Sequence, residues 1–177
     1  MRKLILYIAA SLDGFIAKSD GNIDWLHDES LSIEGEDFGY TAFLNTIDTT
    51  LMGNKTYEMI CSFDMPFPYI DQTNFVFSRS IQKEKHDSVQ FIREDMIQFT
   101  HQLKNNAGKN IWLIGGGIIN TQLLNAGLID EIILTLIPVT LGNGIKIFED
   151  NLKMNNFTLQ ESKTFNNGMV QLTLHPT

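Results

Sequence analysis

Only one cysteine, Cys61, occurs among the 177 residues of the sequence. A single thiol cannot form a disulfide within the chain, which excludes a disulfide-stapled secreted fold and favours a reducing cytoplasm. Long apolar runs are also missing. The run that starts at Leu4 meets Asp13 and Gly14 too early for a secretion signal, and no other run approaches the roughly 20 residues of a membrane-spanning helix. We expect a cytoplasmic protein that does not enter a membrane.

Basic residues are scarce. The chain has 13 lysines and arginines against 21 aspartates and glutamates, a net charge of -8, and only three of the 13 are arginines. This balance argues against nucleic acid as a partner, because nucleic-acid-binding domains present a basic face. The four histidines, His27, His86, His101 and His175, have no metal-ligand spacing, so we predict no metal site.

Hydrophobic residues make up 43% of the chain, enough for one globular domain over residues 1–177 without linker or repeat. Short apolar runs alternate with helical patterns, and a hairpin with the turn Asn166-Asn167-Gly168 closes the chain. This order predicts an α/β fold: a central, mostly parallel sheet of about eight strands flanked by helices, with an antiparallel C-terminal edge. The predicted strands are 4–11, 49–53, 74–78, 88–92, 111–114, 131–139 and the final pair, and the predicted helices are 35–47, 54–61, 94–105 and the segment after Gly117.

Three consecutive glycines interrupt the stretch IWLIGGGIINTQLL, residues 111–124, where a strand passes into a helix. Glycine costs conformational entropy, so Gly115, Gly116 and Gly117 indicate either a strained turn or a ligand close to the main chain. A phosphate suits this place because free backbone N–H groups and the helix dipole both favour an anion. The glycines do not have the G-x-G-x-x-G spacing of the Rossmann fingerprint. Taken alone, they fit a strained turn and a bound ligand equally well.

Two further strand ends carry groups that suit an anion. Gly53 ends a predicted strand, and Lys55 and Thr56 stand in the first turn of the next helix, where a lysine opposes the helix dipole unless an anion offsets it. Ser78 and Arg79 end a third strand. Each has an ordinary interpretation as a solvated strand end or helix start. The three together suggest one extended ligand with several phosphates, such as a dinucleotide, across one sheet edge.

Five motifs, spread over nearly the whole chain, resemble the dihydrofolate reductase fold, and most closely the stand-alone relatives of the reductase domain of bacterial riboflavin biosynthesis. They are YIAASLDGFIA, IDTTLMGNKTYE, FSRS, IWLIGGGIINTQLLNAGLIDEI and LIPVTLGNGIKIFE, in the family's order. The resemblance implies an NADPH-dependent reductase of a pyrimidine- or pteridine-like small molecule, including the 5-amino-6-(5-phosphoribosylamino)uracil reductase type. The apolar C-terminal strands have two interpretations: a homodimer interface, as in the riboflavin relatives, or packing in the core of the chain itself.

The resemblance assigns cofactor-binding residues at each junction. It implies that Gly53, Lys55 and Thr56 hold the pyrophosphate and that Ser78 and Arg79 meet the 2′-phosphate, which favours NADPH over NADH. Residues 13–26 would form a mobile active-site loop, with Trp25 near its end. The resemblance places Ala9, Ala10 and Ile16 around the nicotinamide. It sets the glycines Gly115, Gly116 and Gly117 against the nicotinamide and the pyrophosphate, and Gln122 matches a cofactor-facing position in the following helix.

A proton donor would assist the hydride transfer that such reductases perform, and the resemblance offers Asp37 for that role. Asp37 matches the carboxylate of folate reductases, and Thr135 matches the threonine that hydrogen-bonds it. A carboxylate that faces an apolar cleft would have a raised pKa and could relay a proton. The other interpretation is that Asp37 only favours the start of its helix, as an acid does.

Departures from the family's pattern bear on substrate and turnover. Asn54 stands where the family usually has an arginine, which weakens the expected hold on pyrophosphate. Gln72 stands where folate reductases anchor a carboxylate with arginine, and basic anchors for a ribose phosphate are missing between residues 26 and 54. A second class of function therefore stays open: a non-catalytic NADP(H)-binding or dimeric interaction protein that keeps the fold.

Overall fold

Ten strands and four α-helices occur in the computed structural model, which describes residues 1–79 and 87–177. Two residues mentioned above, His86 and the Ser80 of the FSRS motif, lie outside those ranges. The strands are β1 (Leu4–Ser11), β2 (Phe15–Ala17), β3 (Ile47–Gly53), β4 (Thr73–Phe77), β5 (Val89–Ile92), β6 (Asn110–Gly115), β7 (Glu131–Ile137), β8 (Ile145–Lys146), β9 (Phe157–Thr164) and β10 (Val170–Pro176). The helices are α1 (Tyr40–Leu44), α2 (Asn54–Ser62), α3 (Met96–Asn105) and α4 (Gly117–Asn125), with 3₁₀ turns at Asp24–His27 and Glu29–Leu31.

The main sheet has the strand order β5-β4-β3-β6-β1-β7-β10-β9. Neighbouring strands run parallel from β5 to β7, whereas β10 pairs antiparallel with both β7 and β9. Parallel neighbours need crossover connections, which α2, α3 and α4 supply. The predicted fold class, a mostly parallel sheet with an antiparallel C-terminal edge, is confirmed. The short strands β2 and β8, which the sequence pattern did not predict, form a separate two-stranded ribbon.

Successive side chains of β1 point to opposite faces of the sheet, as strand geometry requires. Leu6 packs with Leu123 of α4 on one face, here called the α4 face. Ile5 packs with Trp112 and with Phe43 of α1 on the other, here called the α1 face. Burial of each such large apolar side chain contributes about 1.5–3 kcal/mol to folding. The sheet is therefore fixed from both sides, and its strand ends form a rigid edge.

Two predicted segments differ from the structure. The predicted helix 35–47 shrinks to α1, because Phe38 and Gly39 have φ values of +56° and +82° and end any helical path before Tyr40. The predicted loop 13–26 contains β2 and a 3₁₀ turn. Within the described ranges, no helix has both the length and the apolar character to cross a membrane.

Candidate functional site

The three junctions singled out in the sequence lie at one edge of the sheet. β3 is paired with β4 on one side and with β6 on the other, so that Gly53 lies opposite Phe77 and Met52 lies opposite Gly115. Ser78 follows directly and is held against the end of β5, because its backbone N–H donates to the carbonyl of Ile92 over 3.1 Å. In parallel sheets this carboxyl edge is where ligands bind.

Two helices begin side by side at this edge. α2 starts after Gly53 and α4 after Gly116, and neither cap residue offers a side chain to the first-turn N–H groups. These groups and the two helix dipoles together favour negative charge. The Thr56 hydroxyl donates a hydrogen bond of 3.2 Å to the carbonyl of Gly115, which ties α2 to the end of β6. The arrangement is an anion-binding cradle made mainly of backbone.

The glycine triplet has a structural reason at each position. Gly115 and Gly116 have φ values of +120° and +112°, which residues with a side chain rarely adopt. A Cβ on Gly117 would lie 2.4 Å from the carbonyl oxygen of Lys146, because the chain after β8 crosses the start of α4. The carboxylate of Glu149 lies beside the same position. Close approach by the protein's own backbone thus accounts for Gly117.

Exposed cationic residues follow the strand ends on the β5 side of the cradle. Lys55 is exposed in the first turn of α2, and Arg79 is exposed just after β4. Arg93, which the sequence analysis did not select, is exposed just after β5, the strand paired with β4. In the sequence Arg93 has the same pattern as Arg79, a cation directly after an apolar strand. Only the pairing of β4 with β5 shows that the two arginines lie at neighbouring strand ends. Two of the chain's three arginines therefore lie at this edge.

The residues predicted around the nicotinamide occupy neighbouring strands. Ala9 is half-buried and paired with Thr135 of β7, Ala10 is buried, and Ile16 lies in β2 against the main core. Gln122 is exposed and lies about one and a half turns beyond the start of α4, away from the glycines. The structure thus places the two alanines at the sheet edge, and the cofactor-facing role of Gln122 stays a prediction.

Asp37 does not face an apolar cleft, and the expected rise in its pKa is wrong. The side chain is exposed, and its carboxylate accepts hydrogen bonds of 2.9 Å from the backbone N–H groups of Gly39 and Thr41. The Thr41 hydroxyl and these N–H groups hold the pKa of Asp37 below its usual value. The local geometry is that of an acid at the start of α1, the second interpretation offered above.

Thr135 has a different partner from the one expected. Its hydroxyl accepts a hydrogen bond of 3.1 Å from the side-chain amide of Gln171 in β10, which also donates to the carbonyl of Phe38 over 3.2 Å. The Tyr7 hydroxyl donates to the same carbonyl over 3.3 Å. Burial is the main cause of a raised pKa at Tyr7, and the nearby charge of Asp37 adds to it. Tyr7, Gln171 and Thr135 form an uncharged polar cluster on the α1 face, which sequence reasoning missed apart from Thr135.

The loop before β2 is fastened to the chain after β7. The carboxylate of Asp13 accepts hydrogen bonds from the Ser11 hydroxyl, over 2.6 Å, and from the N–H groups of Leu141 and Gly142, the latter over 2.7 Å. These donors, the Ser11 hydroxyl foremost, lower the pKa of Asp13. The pairing of β2 with β8 continues the contact. The predicted mobile loop is therefore connected to the segment that crosses the start of α4.

Known proteins resemble this chain in sequence and in structure. A family model, RibD C-terminal domain, matches residues 67–171. Uncharacterized protein YwjB of Bacillus subtilis (strain 168) is 43% identical over 165 residues, which cover 93% of this chain and 92% of that protein.

Two solved structures share the architecture. A putative riboflavin biosynthesis protein from Shewanella sp. PV-4 superposes with a TM-score of 0.88 at 30% identity, over 99% of both chains. Dihydrofolate reductase from Enterococcus faecalis, solved with NADP(H), superposes with a TM-score of 0.68 at 18% identity, over 99% of this chain and 96% of that one. The second likeness shows the fold alone. Of the residues that the structure describes, no group of three His, Cys, Asp or Glu side chains is placed to hold a metal ion.

Proposed function

The chain belongs to the RibD C-terminal domain family, and from this membership we propose that it is an NADPH-dependent reductase of a small pyrimidine- or pteridine-like heterocycle. The observation that carries the proposal is the backbone cradle between α2 and α4, with cations beside it at the same sheet edge. The lone thiol of Cys61 is compatible with the reducing cytoplasm, where we propose that the enzyme acts.

The groups at the cradle fit a pyrophosphate. The free N–H groups at the starts of α2 and α4 would donate to its oxygens, with the Thr56 hydroxyl and the Lys55 ammonium beside them. Gly116 presents backbone and no side chain next to Thr56, which leaves room for close approach. Asn54 supplies no second cation beside Lys55, and its side-chain amide is engaged within α2, where it donates to Glu58 over 2.9 Å.

Arg79 and Arg93 fit a 2′-phosphate. Both follow strand ends on the far side of the cradle from β1, Arg79 one strand and Arg93 two strands beyond β3. A guanidinium binds a phosphate through paired N–H groups, which an unphosphorylated ribose could not use fully. The pair therefore supports NADPH over NADH.

When bound, the cofactor supplies a hydride. The chain's own part is to fix the phosphates at the cradle and to place the substrate against the α1 face near Ala9. Trp25 and Leu26 of the first 3₁₀ turn pack with Ile137 on that face, so this turn would shield a bound substrate from water. Positioning and exclusion of water are the main contributions that such a site makes to hydride transfer.

One observation favours the second class of function, an NADP(H)-binding protein without turnover. The acid expected to deliver a proton, Asp37, is exposed and its pKa is lowered, so it is a poor proton donor near neutral pH. Under this alternative the cradle would still bind the cofactor, and no heterocycle would be reduced.

The proposal is tested by titrating the purified protein with NADPH and NADH and following energy transfer from tryptophan. We expect micromolar binding of NADPH and much weaker binding of NADH. Arg79→Ala should weaken NADPH binding by about tenfold or more, the loss of one charge-assisted hydrogen bond, and leave NADH unchanged. Lys153→Ala, an exposed cation elsewhere on the chain, serves as the control. Absence of saturable binding of both nucleotides would reject the reductase and its alternative together.

We also propose that the chain forms a homodimer through β9. All eight residues of this edge strand are exposed, and its outer N–H and C=O groups have no neighbouring strand within the described sheet. Antiparallel pairing of two copies about Ser162 would place Glu161 of one copy opposite Lys163 of the other. Edge strands that stay unpaired are prone to such association.

Sedimentation velocity tests the dimer. Glu161→Lys alone places like charges across the two-fold and should shift the protein toward monomer, and Glu161→Lys combined with Lys163→Glu should restore the dimer. If both variants sediment as dimers like the wild type, the dimer interface lies on another surface.

A further inference from the structure

Negative charge is concentrated in one segment. Between Ser19 and Ile47 the sequence has seven aspartates and glutamates and no lysine or arginine, so this segment carries nearly all of the net charge of -8. All seven acidic residues are exposed. We call residues 19–47 the acidic segment. The remainder of the chain is close to electrical balance, and its cations include those beside the cradle.

The acidic segment lies over the part of the α1 face where the proposed substrate would bind. Trp25, Leu31 and Phe38 of this segment pack with Ala9 of β1 and Ile137 of β7. The apolar side chains of the segment point to the sheet, and its carboxylates face outward around them. A ligand that approaches this part of the α1 face from outside meets the negative field of these carboxylates.

The polar groups on the face itself are uncharged. Gln171 and Thr135 are 6% and 7% exposed, and the half-buried Tyr7 extends the cluster toward the surface. Because the Gln171 amide and the Tyr7 hydroxyl already donate within the protein, the cluster offers mainly acceptor oxygens, which suit a planar heterocycle with ring N–H groups. The indole N–H of Trp25 is shielded from solvent and has no partner among the described residues, which also suits a ligand with an acceptor.

We infer that the substrate site of this chain selects an uncharged or cationic planar heterocycle and rejects substrates that carry a phosphate or carboxylate. The inference rests on the proposed function, whose cofactor site lies outside the acidic segment. A buried uncharged cluster cannot neutralise an anion, and the surrounding carboxylates repel one. The phosphoribosyl compound of the riboflavin reductase type is therefore disfavoured as the substrate.

Two pterins that differ in one charge provide the first test. Binding of pterin and of pterin-6-carboxylate is measured on the NADPH-loaded protein at low ionic strength and near-neutral pH. We expect the uncharged pterin to bind more tightly, by on the order of tenfold. Equal or tighter binding of the carboxylate would overturn the inference.

A charge-reversal pair identifies the cause. Glu29→Lys with Glu34→Lys, both at exposed positions that flank Leu31, should narrow the difference between the two pterins at low salt. Asp64→Lys with Asp71→Lys, two exposed acids between α2 and β4, changes the net charge by the same amount and should leave the difference unchanged. Equal effects of both changes would show that total charge, and not the acidic segment, makes the selection.

Collisional quenching decides the matter if neither pterin binds. Trp112 is 5% exposed, whereas Trp25 lies half-buried in the acidic segment, so added quenchers act mainly on Trp25. Caesium should quench more, and iodide less, than the neutral quencher acrylamide predicts, and Trp25→Phe should remove the contrast. Equal access of iodide and caesium would overturn the inference. Quenching does not depend on cofactor binding. The nucleotide titration alone therefore tests the proposed reductase, and the quenching experiment tests the charge around Trp25.

Discussion

The hydroxyl of Thr56 donates a hydrogen bond to the carbonyl oxygen of Gly115, 3.2 Å away, and so joins the first turn of α2 to the end of β6. The two residues are 59 positions apart in the chain. The bond adds a polar connection between the two helix starts, beside the packing of the Ile119 side chain of α4 against Gly53. The shape of the cradle therefore depends on a side chain that would itself contact a bound pyrophosphate.

Thr56→Val keeps the branched shape and removes the hydroxyl. We expect a loss of about 1 kcal/mol in the free energy of unfolding, the usual net value of one hydrogen bond. NADPH and NADH should lose affinity in parallel, because both have the pyrophosphate. Urea unfolding and nucleotide titration measure the two effects. Ser62→Ala is the matched control, because it removes a hydroxyl that donates to Met59 at the other end of the same helix.

Arg93→Ala tests the residue that only the structure identified. If Arg93 shares the 2′-phosphate with Arg79, its removal should weaken NADPH binding by about tenfold at low salt and leave NADH unchanged. The effect should shrink as the salt concentration rises, since the contact is exposed. An equal loss for NADPH and NADH would place Arg93 near the pyrophosphate or the adenine instead.

The sheet and the glycine junctions could be predicted because their signals are local. Strand β1 and helix α2 each have a continuous periodic pattern, and the predicted bounds 4–11 and 54–61 agree with the structure to within one residue. The turn Asn166-Asn167-Gly168 likewise has its own chemistry and joins β9 to β10 as predicted.

The elements that were missed depend on contacts distant in sequence. β2 and β8 have three and two residues, and each is a strand only because it pairs with the other. Gln171 reaches Thr135 across 36 positions, through the register of β10 on β7, which no local pattern encodes. For Asp37 the local sequence gave the better prediction. Its hydrogen bonds are those of an acid at the start of a helix, whereas the match to the family position predicted a carboxylate that faces an apolar cleft.

Substitutions at Asp37 separate the two interpretations of this acid. Asparagine has a single acceptor oxygen and can keep one of the two hydrogen bonds from Gly39 and Thr41, which go to different oxygens of Asp37, whereas alanine keeps neither. If the role is structural, the urea midpoint of Asp37→Asn should lie between those of the wild type and Asp37→Ala, with NADPH binding retained in both variants. If Asp37 relays a proton, Asn and Ala should abolish turnover alike once a substrate is found.

Asp13→Asn tests the contact between the loop before β2 and the chain after β7. The folded protein lowers the pKa of Asp13, so its stabilising contribution is fully present above the unfolded value of about 3.9 and is lost as the pH falls through the lower folded value. We expect faster amide exchange at Leu141 and Gly142 in the variant near pH 7, and a difference in urea midpoint that disappears in acid. Asp64→Asn, an exposed acid after α2, should show neither effect. Unchanged exchange in Asp13→Asn would mean that the pairing of β2 with β8 holds the loop without the carboxylate, and that access to the substrate face does not depend on Asp13.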